Sequence, residues 1–446
     1  MPADPPVPSA TDEDDPGGRT ARQIIVVVLV AAAVPLLYLV STPHNFYDLK
    51  IYMSAMRWWA DGNPLYDYVQ ADLLQGQLYF TYPPFTALLL RPFAGLRIGV
   101  TAAVFTVLTV LALLVTTWWL VSAVADRHGV SRWFAAGLAV PLAFAVESTR
   151  ETIVFGQINM LLVVLVLADL LFAVPRNSRW AGVGIGLATA LKLYPGIFIV
   201  YLLVTRRWRA ALVSSATAAV ATLLAAAIAP SDSWRFWTHE LWLTDRVGRP
   251  DYTGNQSLFG LLSRFTTPGE PNRVLWLVLV VAVAAYGLWR AARAARAGDE
   301  LAGLTLTGLV AVLVSPITWT HHAYWFIPAV VVLVDAGLRS TGPRSTGARS
   351  TGPRPPDLPD DRAGRRRRLA LLALAALLTA AIVYGVVSYY DWGRAFDRTD
   401  APGEFLLRNL YVLFALLLLF VLPIRRASTG TGTDTEAAKH EPSIRQ

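Results

Sequence analysis

The feature that most constrains this chain is the recurrence of apolar stretches from Gln23 to Val421, each close to the length that crosses a lipid bilayer. A hydrocarbon layer about 30 Å thick takes about 20 helical residues. Strands of an outer-membrane barrel would alternate polar and apolar residues, and these runs do not. With 54% hydrophobic and 16% charged residues, the 446-residue chain carries far more apolar side chain than one soluble core needs. The expected fold class is therefore an all-α polytopic membrane protein. About twelve spans are expected, at Gln23–Val40, Gly99–Ala125, Trp133–Val146, Val154–Phe172, Trp180–Leu191, Tyr194–Val204, Ala210–Ala229, Val274–Ala295, Leu301–Val314, His322–Leu338, Leu369–Val387 and Phe405–Leu422.

Positive charge fixes the expected orientation, because short loops rich in Arg and Lys stay on the cytoplasmic side. With the N-terminus inside, DRHGVSR (126–132), PRNSR (175–179), TRRWR (205–209), RAARAAR (290–296), GRRRR (364–368) and IRR (424–426) all fall inside. This holds only if the run Pro83–Leu96 does not cross. That run is short and interrupted by Arg91-Pro92 and Gly95, so it reads as an interfacial helix opened by the prolines of TYPPF. Residues 41–98 then form one long external loop, and Leu49–Ala60 within it reads as an amphipathic interfacial helix. The net charge of +8 sits beside apolar spans, which reads as membrane orientation and not as nucleic-acid binding. The absence of cysteine excludes disulfides, thiolate metal ligation and a cysteine nucleophile.

The expected organisation is a disordered cytoplasmic tail at 1–21, a membrane core at 22–338, a disordered basic linker at 339–368, two further spans at 369–424 and a second tail at 425–446. Segment 1–21 is acidic and rich in Pro and Gly, without the basic start of a signal peptide. The linker repeats Arg, Ser, Thr, Gly and Pro, which cannot bury a core.

Under this topology, polar residues from most of the chain converge on the external face. Ionisable groups at span ends are costly unless paired or functional. Asp48 follows the first span in YDLKIY, where it can cap the next helix, serve as a general base, or do both. Lys192 stands at the outer end of the short pair Trp180–Leu191 and Tyr194–Val204, broken at Pro195; it reads either as a snorkelling anchor or as a functional cation. His321 and His322 are adjacent, which is not the i, i+4 spacing of a metal site, leaving interfacial packing or donation to an anionic phosphate. Glu147, Arg150 and Glu151 form a surface ion pair or join a polar cavity with Gln157 and Asn159. Tyr82, Asn255, Gln256 and Trp319 complete the candidate cavity set.

YDLKIY, YPP, FGQIN, LKLYP, NQS and SPITWTHH, in this order between Phe46 and Trp325, resemble glycosyltransferase family 87, the polyprenyl-phosphate-mannose-dependent α-(1→2)-mannosyltransferases. The resemblance implies a GT-C bundle whose long first external loop carries interfacial helices. It implies transfer of mannose, with inversion, from a polyprenyl-phosphate-mannose donor to a hydroxyl of a mannosylated glycolipid acceptor of the phosphatidylinositol mannoside, lipomannan or lipoarabinomannan type. Asp48 is then the base, and Lys192, His321 and His322 face the donor phosphate. No cofactor is implied, since the donor is a lipid phosphate and basic residues can stabilise the leaving group without a metal. Two other readings are a flippase for a lipid-linked sugar, which predicts midplane polar residues and inverted repeats, and a transferase using another polyprenyl-phosphate sugar. The resemblance places the site on the external face of a multi-pass protein of the cell membrane.

Overall fold

The computed structural model describes residues 45–72, 76–339, 362–385 and 396–425, with scattered positions between 20 and 31. Most of the expected tails at 1–21 and 425–446, residues 340–361 of the linker and most of the span Gln23–Val40 lie outside the described residues; the end of the expected disordered linker, 362–368, is instead helical and opens the helix Arg362–Tyr384. The regular structure among the described residues is helical apart from one short hairpin. The helices in chain order are α1 (Tyr47–Ala60), α2 (Pro84–Leu90), α3 (Ile98–Arg127), α4 (Arg132–Ala145), α5 (Glu147–Phe155), α6 (Asn159–Ala168), α7 (Val183–Leu191), α8 (Ile197–Val204) and α9 (Trp208–Ile228). They continue as α10 (Pro230–Thr238), α11 (Leu258–Thr266), α12 (Arg273–Arg296), α13 (Glu300–Val314), α14 (Phe326–Leu338), α15 (Arg362–Tyr384), α16 (Pro402–Arg408) and α17 (Leu410–Val421).

Among the described residues, five helices are individually long and apolar enough to cross a membrane: α3, α9, α12, α15, and α14 together with the 3₁₀ turn Thr320–Trp325 before it. The pair α16 and α17, bent by 74°, makes a sixth if counted as one span. Other expected spans within the described residues are shorter apolar helices such as α4, the 14-residue Arg132–Ala145, and α13, the 15-residue Glu300–Val314, because polar or proline-containing segments stop them early. The molecule is thus a polytopic helical membrane protein. Lipid-directed positions follow from composition: Leu111, Leu212, Leu223 and Val278 are exposed on helices whose charged residues stand only near their ends.

Two features position the site. The first is α13, buried on every side from Ala302 to Leu313, as a helix apolar all round must be. It sits at the centre, and Gly308 admits the ring of Trp325, since a Cβ there would lie 2.1 Å from the indole. The second is the segment from α1 to α2. After α1 the chain forms an antiparallel hairpin of β1 (Val69–Asp72) and β2 (Gly76–Tyr79), with Val69 opposite Tyr79 and Asp72 opposite Gly76. It then re-enters the bundle at Pro83, and Pro84 occupies the first turn of α2, where a missing N–H costs nothing. The sequence pattern had not revealed the hairpin.

At the start of α1 the N-cap is Phe46, in the left-handed region at φ 56°, with no side-chain cap. Asp48 lies inside the first turn, so the capping reading is corrected: its carboxylate gains from the helix dipole and does not cap. Phe46 donates its backbone N–H to Val154 O at 2.8 Å, docking α1 against the end of α5. That close approach depends on Gly156, which has φ 73°, closes α5, and would place a Cβ 2.7 Å from Leu49 Cβ. Gly156→Ala combines a left-handed backbone cost of about 1–2 kcal/mol with that collision. It should lower the melting temperature by several degrees and reduce turnover, because Gln157 shifts relative to Asp48. A variant with the parent's melting temperature and activity would show that the two helices part without consequence.

Candidate active site

Gln157 joins the two ends of the site. Its Nε2 donates to Asp48 Oδ2 and to Tyr52 Oη at 3.0 Å. Tyr52 donates to Tyr82 Oη at 2.9 Å, and Tyr82 donates to Gln157 Oε1 at 2.7 Å, closing a ring of buried polar groups. A closed ring of this kind fixes the orientation of every member. Tyr52 lies four residues after Asp48 on the same face of α1, a spacing legible in the sequence although Tyr52 was not among the candidates.

From this ring the site extends to Lys192, the C-cap of α7, two residues before the short turn Tyr194–Gly196. Its Nζ reaches Asn159 Oδ1 at 3.1 Å, Tyr82 Oη at 3.2 Å, Gln157 Oε1 at 3.4 Å and His322 Nε2 at 2.9 Å. The side chain keeps partial exposure, but the amine is enclosed by these four groups. That desolvation lowers the ammonium from its usual range to about 7, and the Asp48 carboxylate opposes the shift. Burial likewise pushes the Tyr82 hydroxyl far above its usual value, so it remains a neutral relay.

The two histidines separate as adjacent positions must. His322 points to Lys192, and its Nδ1 accepts the backbone N–H of Trp319 at 3.1 Å. The His321 ring packs against Phe155 at 5.9 Å between centroids, while its carbonyl accepts from Asn159 Nδ2 at 3.0 Å.

These groups line one cavity of about 630 Å³, which takes in Asp48, Tyr82, Gln157, Lys192, Trp319, His321 and His322. Ala311, Val312 and Ile317 supply an apolar wall. At another part of the rim, Tyr47 donates to Asp72 Oδ2 at 2.6 Å, and Arg246 pairs with the buried Glu240 and covers the Tyr79 ring at 4.2 Å. Asp72, Glu240 and Arg246 also line the cavity and were absent from the candidates, because the hairpin and the two 3₁₀ turns, Glu240–Trp242 and Thr244–Val247, that present them carry no strong pattern.

Other candidates are placed elsewhere. Glu147 and Arg150 do not line the cavity: Glu147 is fully buried, accepts from Tyr411 Oη, and lies with Arg150 against the backbone of Gly385. Asn255 and Gln256 act on the cavity wall from behind. Asn255 donates to Pro250 O at 3.0 Å and Pro316 O at 3.2 Å and accepts from Thr318 N at 2.9 Å. Gln256 donates to Arg408 O at 2.7 Å and accepts from Tyr411 N at 3.0 Å. Fully buried Arg264 braces the same loop through Tyr252 O, Asn255 O and Asn409 Oδ1 at 2.7–3.1 Å. NQS and SPIT are therefore one clamp that holds Pro316–Thr318 in place.

The helical membrane protein thus holds a cavity in which a carboxylate and an amine meet opposite ends of one amide. The chain belongs to glycosyltransferase family 87, whose sequence profile matches residues 80–316. It is 36% identical over 312 residues to a polyprenol-phosphate-mannose-dependent alpha-(1-2)-phosphatidylinositol mannoside mannosyltransferase of Mycobacterium tuberculosis, covering 67% of this chain and 72% of that relative. A protein of the same description from Mycolicibacterium smegmatis is 36% identical over 306 residues, 64% of this chain and 69% of the relative. An alpha-(1->3)-arabinofuranosyltransferase of Mycobacterium tuberculosis is 31% identical over 266 residues, 58% of this chain and 57% of that protein. No solved structure matches the chain.

Proposed function

We propose that this protein is a polyprenyl-phosphate-mannose-dependent α-(1→2)-mannosyltransferase of the cell membrane, acting on a phosphatidylinositol mannoside or a related mannosylated acceptor. The observation that carries this reading is the Asp48–Gln157–Lys192 arrangement in one cavity with an apolar wall, in a chain 36% identical to enzymes of that description. Asp48 takes the proton of the acceptor hydroxyl as its oxygen attacks C1 of mannose from the face opposite the phosphate, which inverts the anomeric centre. The C1–O bond to phosphate breaks with its electron pair on the phosphate oxygen. Lys192 and His322 stand where donors would meet that charge. The apolar wall of Ala311, Val312 and Ile317 suits the first isoprene units of the lipid. GT-C architecture, about twelve spans and an external site complete the proposal.

Purified full-length protein should transfer labelled mannose from polyprenyl-phosphate-mannose to a phosphatidylinositol mannoside and not to a non-mannosylated lipid. No transfer to any mannosylated acceptor would sink the assignment. A second reading, transfer of another polyprenyl-phosphate sugar, is favoured by the arabinofuranosyltransferase relative. Offering both donors in competition separates the two.

The orientation is tested separately. Ala71 and Gln77 are exposed on the hairpin, and the chain contains no cysteine, so Ala71→Cys and Gln77→Cys are unique labels. An impermeant thiol reagent should modify both on intact cells. Labelling that needs lysis would invert the topology.

A further inference from the structure

We infer that Lys192 and His322 form a proton-accepting phosphate socket: the amine is neutral in the arrangement described here and takes up one proton when a lipid phosphodiester binds. The inference rests on the reading of this cavity as the donor site. Hydrogen-bond direction carries it. The backbone N–H of Trp319 meets His322 Nδ1 at 3.1 Å, and a backbone amide can only donate. Nδ1 therefore presents a lone pair, and the proton of the neutral ring is on Nε2. Nε2 in turn faces Lys192 Nζ at 2.9 Å. An ammonium has three donors and no acceptor, so a charged lysine would set N–H against N–H. A neutral amine accepts from Nε2–H instead. Its two hydrogens find Asn159 Oδ1 at 3.1 Å and Tyr82 Oη at 3.2 Å, while the more distant Gln157 Oε1, at 3.4 Å, already accepts from Tyr82. Every donor and acceptor in the cluster is then matched.

The neighbouring groups support this count. Asp48 and Tyr52 face the amine from α1, Tyr82 from the segment before α2, Tyr194 from the turn after Lys192, and His321 beside His322; Gln157 and Asn159 between them are neutral. The Asp48 carboxylate is held one amide away by Gln157. Desolvation brings Lys192 to about 7, within reach of a proton supplied by solvent.

Protonation changes what the pair offers. With a third N–H in place of its lone pair, Lys192 no longer accepts from His322, so both Nζ–H and Nε2–H become available to phosphate oxygens. One proton turns a self-satisfied pair into two donors aimed at an anion. In turnover the acceptor proton passes to Asp48, while the charge gained by the leaving phosphate meets a lysine already cationic.

The test uses farnesyl methyl phosphate, a prenyl phosphodiester with one fixed negative charge, so no proton change can come from the ligand. It is titrated calorimetrically into detergent-purified full-length protein in two buffers of different ionisation enthalpy. Uptake should approach one proton per bound ligand near about pH 8.5 and vanish near about pH 6; affinity should fall about tenfold per pH unit above the amine's own value, as single-proton linkage requires. Lys192→Met should bind weakly without uptake. Lys192→Arg, permanently charged, should bind without uptake and with affinity independent of pH. Binding by the parent without uptake would overturn this inference and leave the donor-site reading intact. Uptake that survives in Lys192→Met would assign the proton to another group and also overturn it. Failure of the diester to bind at all would overturn both readings.

Discussion

Asp48→Asn should lose about a hundredfold to ten-thousandfold of mannose transfer while the protein remains folded, the range that a positioned general base supplies. Asparagine keeps the shape of the side chain and an oxygen that still accepts from Gln157 Nε2, so the ring through Tyr52 and Tyr82 need not move. What it cannot do is take the acceptor's proton. Loss of the negative charge in the first turn of α1 removes at most about 0.3–1 kcal/mol of dipole interaction, a small change in melting temperature. Because the defect lies in the transition state, kcat and kcat/KM should fall together. Transfer within a few fold of the parent, by protein of matched melting temperature, would remove Asp48 from the chemistry. Asp72 and Glu240, the other carboxylates lining the cavity, would then be the next candidates.

Lys192→Met should cost about a hundredfold or more in turnover and weaken the donor, since removing one preorganised donor to a developing oxyanion costs about 10²–10³ in rate. Methionine preserves the length and apolar stem of the side chain. The amine's partners, Asn159 Oδ1 and His322 Nε2, lose a contact each, which costs less than burying an unpaired charge. The measurement is donor saturation at fixed acceptor, with acceptor saturation as the control. A reduced kcat with raised donor KM and unchanged acceptor KM is the expected pattern; a defect confined to the acceptor would move Lys192 to the other substrate.

The polytopic helical class was legible because lipid demands continuous apolar runs, and those are visible without any tertiary information. The convergence of Asp48, Tyr82, Gln157, Lys192, Trp319, His321 and His322 on one cavity was legible for a related reason: polar side chains at span ends must gather or be excluded. Glu147 and Arg150 show the limit of that rule. Burial against a neighbouring helix satisfies a carboxylate as well as a cavity does, and the sequence does not say that Tyr411, far along the chain, supplies the partner. Asn255 and Gln256 show it again. A buried amide reads the same whether it meets a substrate or the carbonyls of Pro316 and Arg408. Span count was the least legible property, because short apolar helices such as α4 and α13 sit between what crosses a bilayer and what fills its core.

Every residue assigned chemistry here lies between Asp48 and His322, so a nonsense codon late in the gene would look harmless on a motif map. The packing says otherwise. Tyr411 holds Glu147, Tyr411 and Val412 satisfy Gln256, and Asn409 holds the guanidinium of Arg264. A message cut short after codon 339 would encode an intact catalytic list while taking Tyr411 from the buried Glu147 carboxylate and Asn409 from the buried Arg264 guanidinium, each lost partner of a buried charge costing about 1–3 kcal/mol or more. Such alleles should behave as nulls through degradation of the product, and screening programmes that score truncations by motif content would misclassify them.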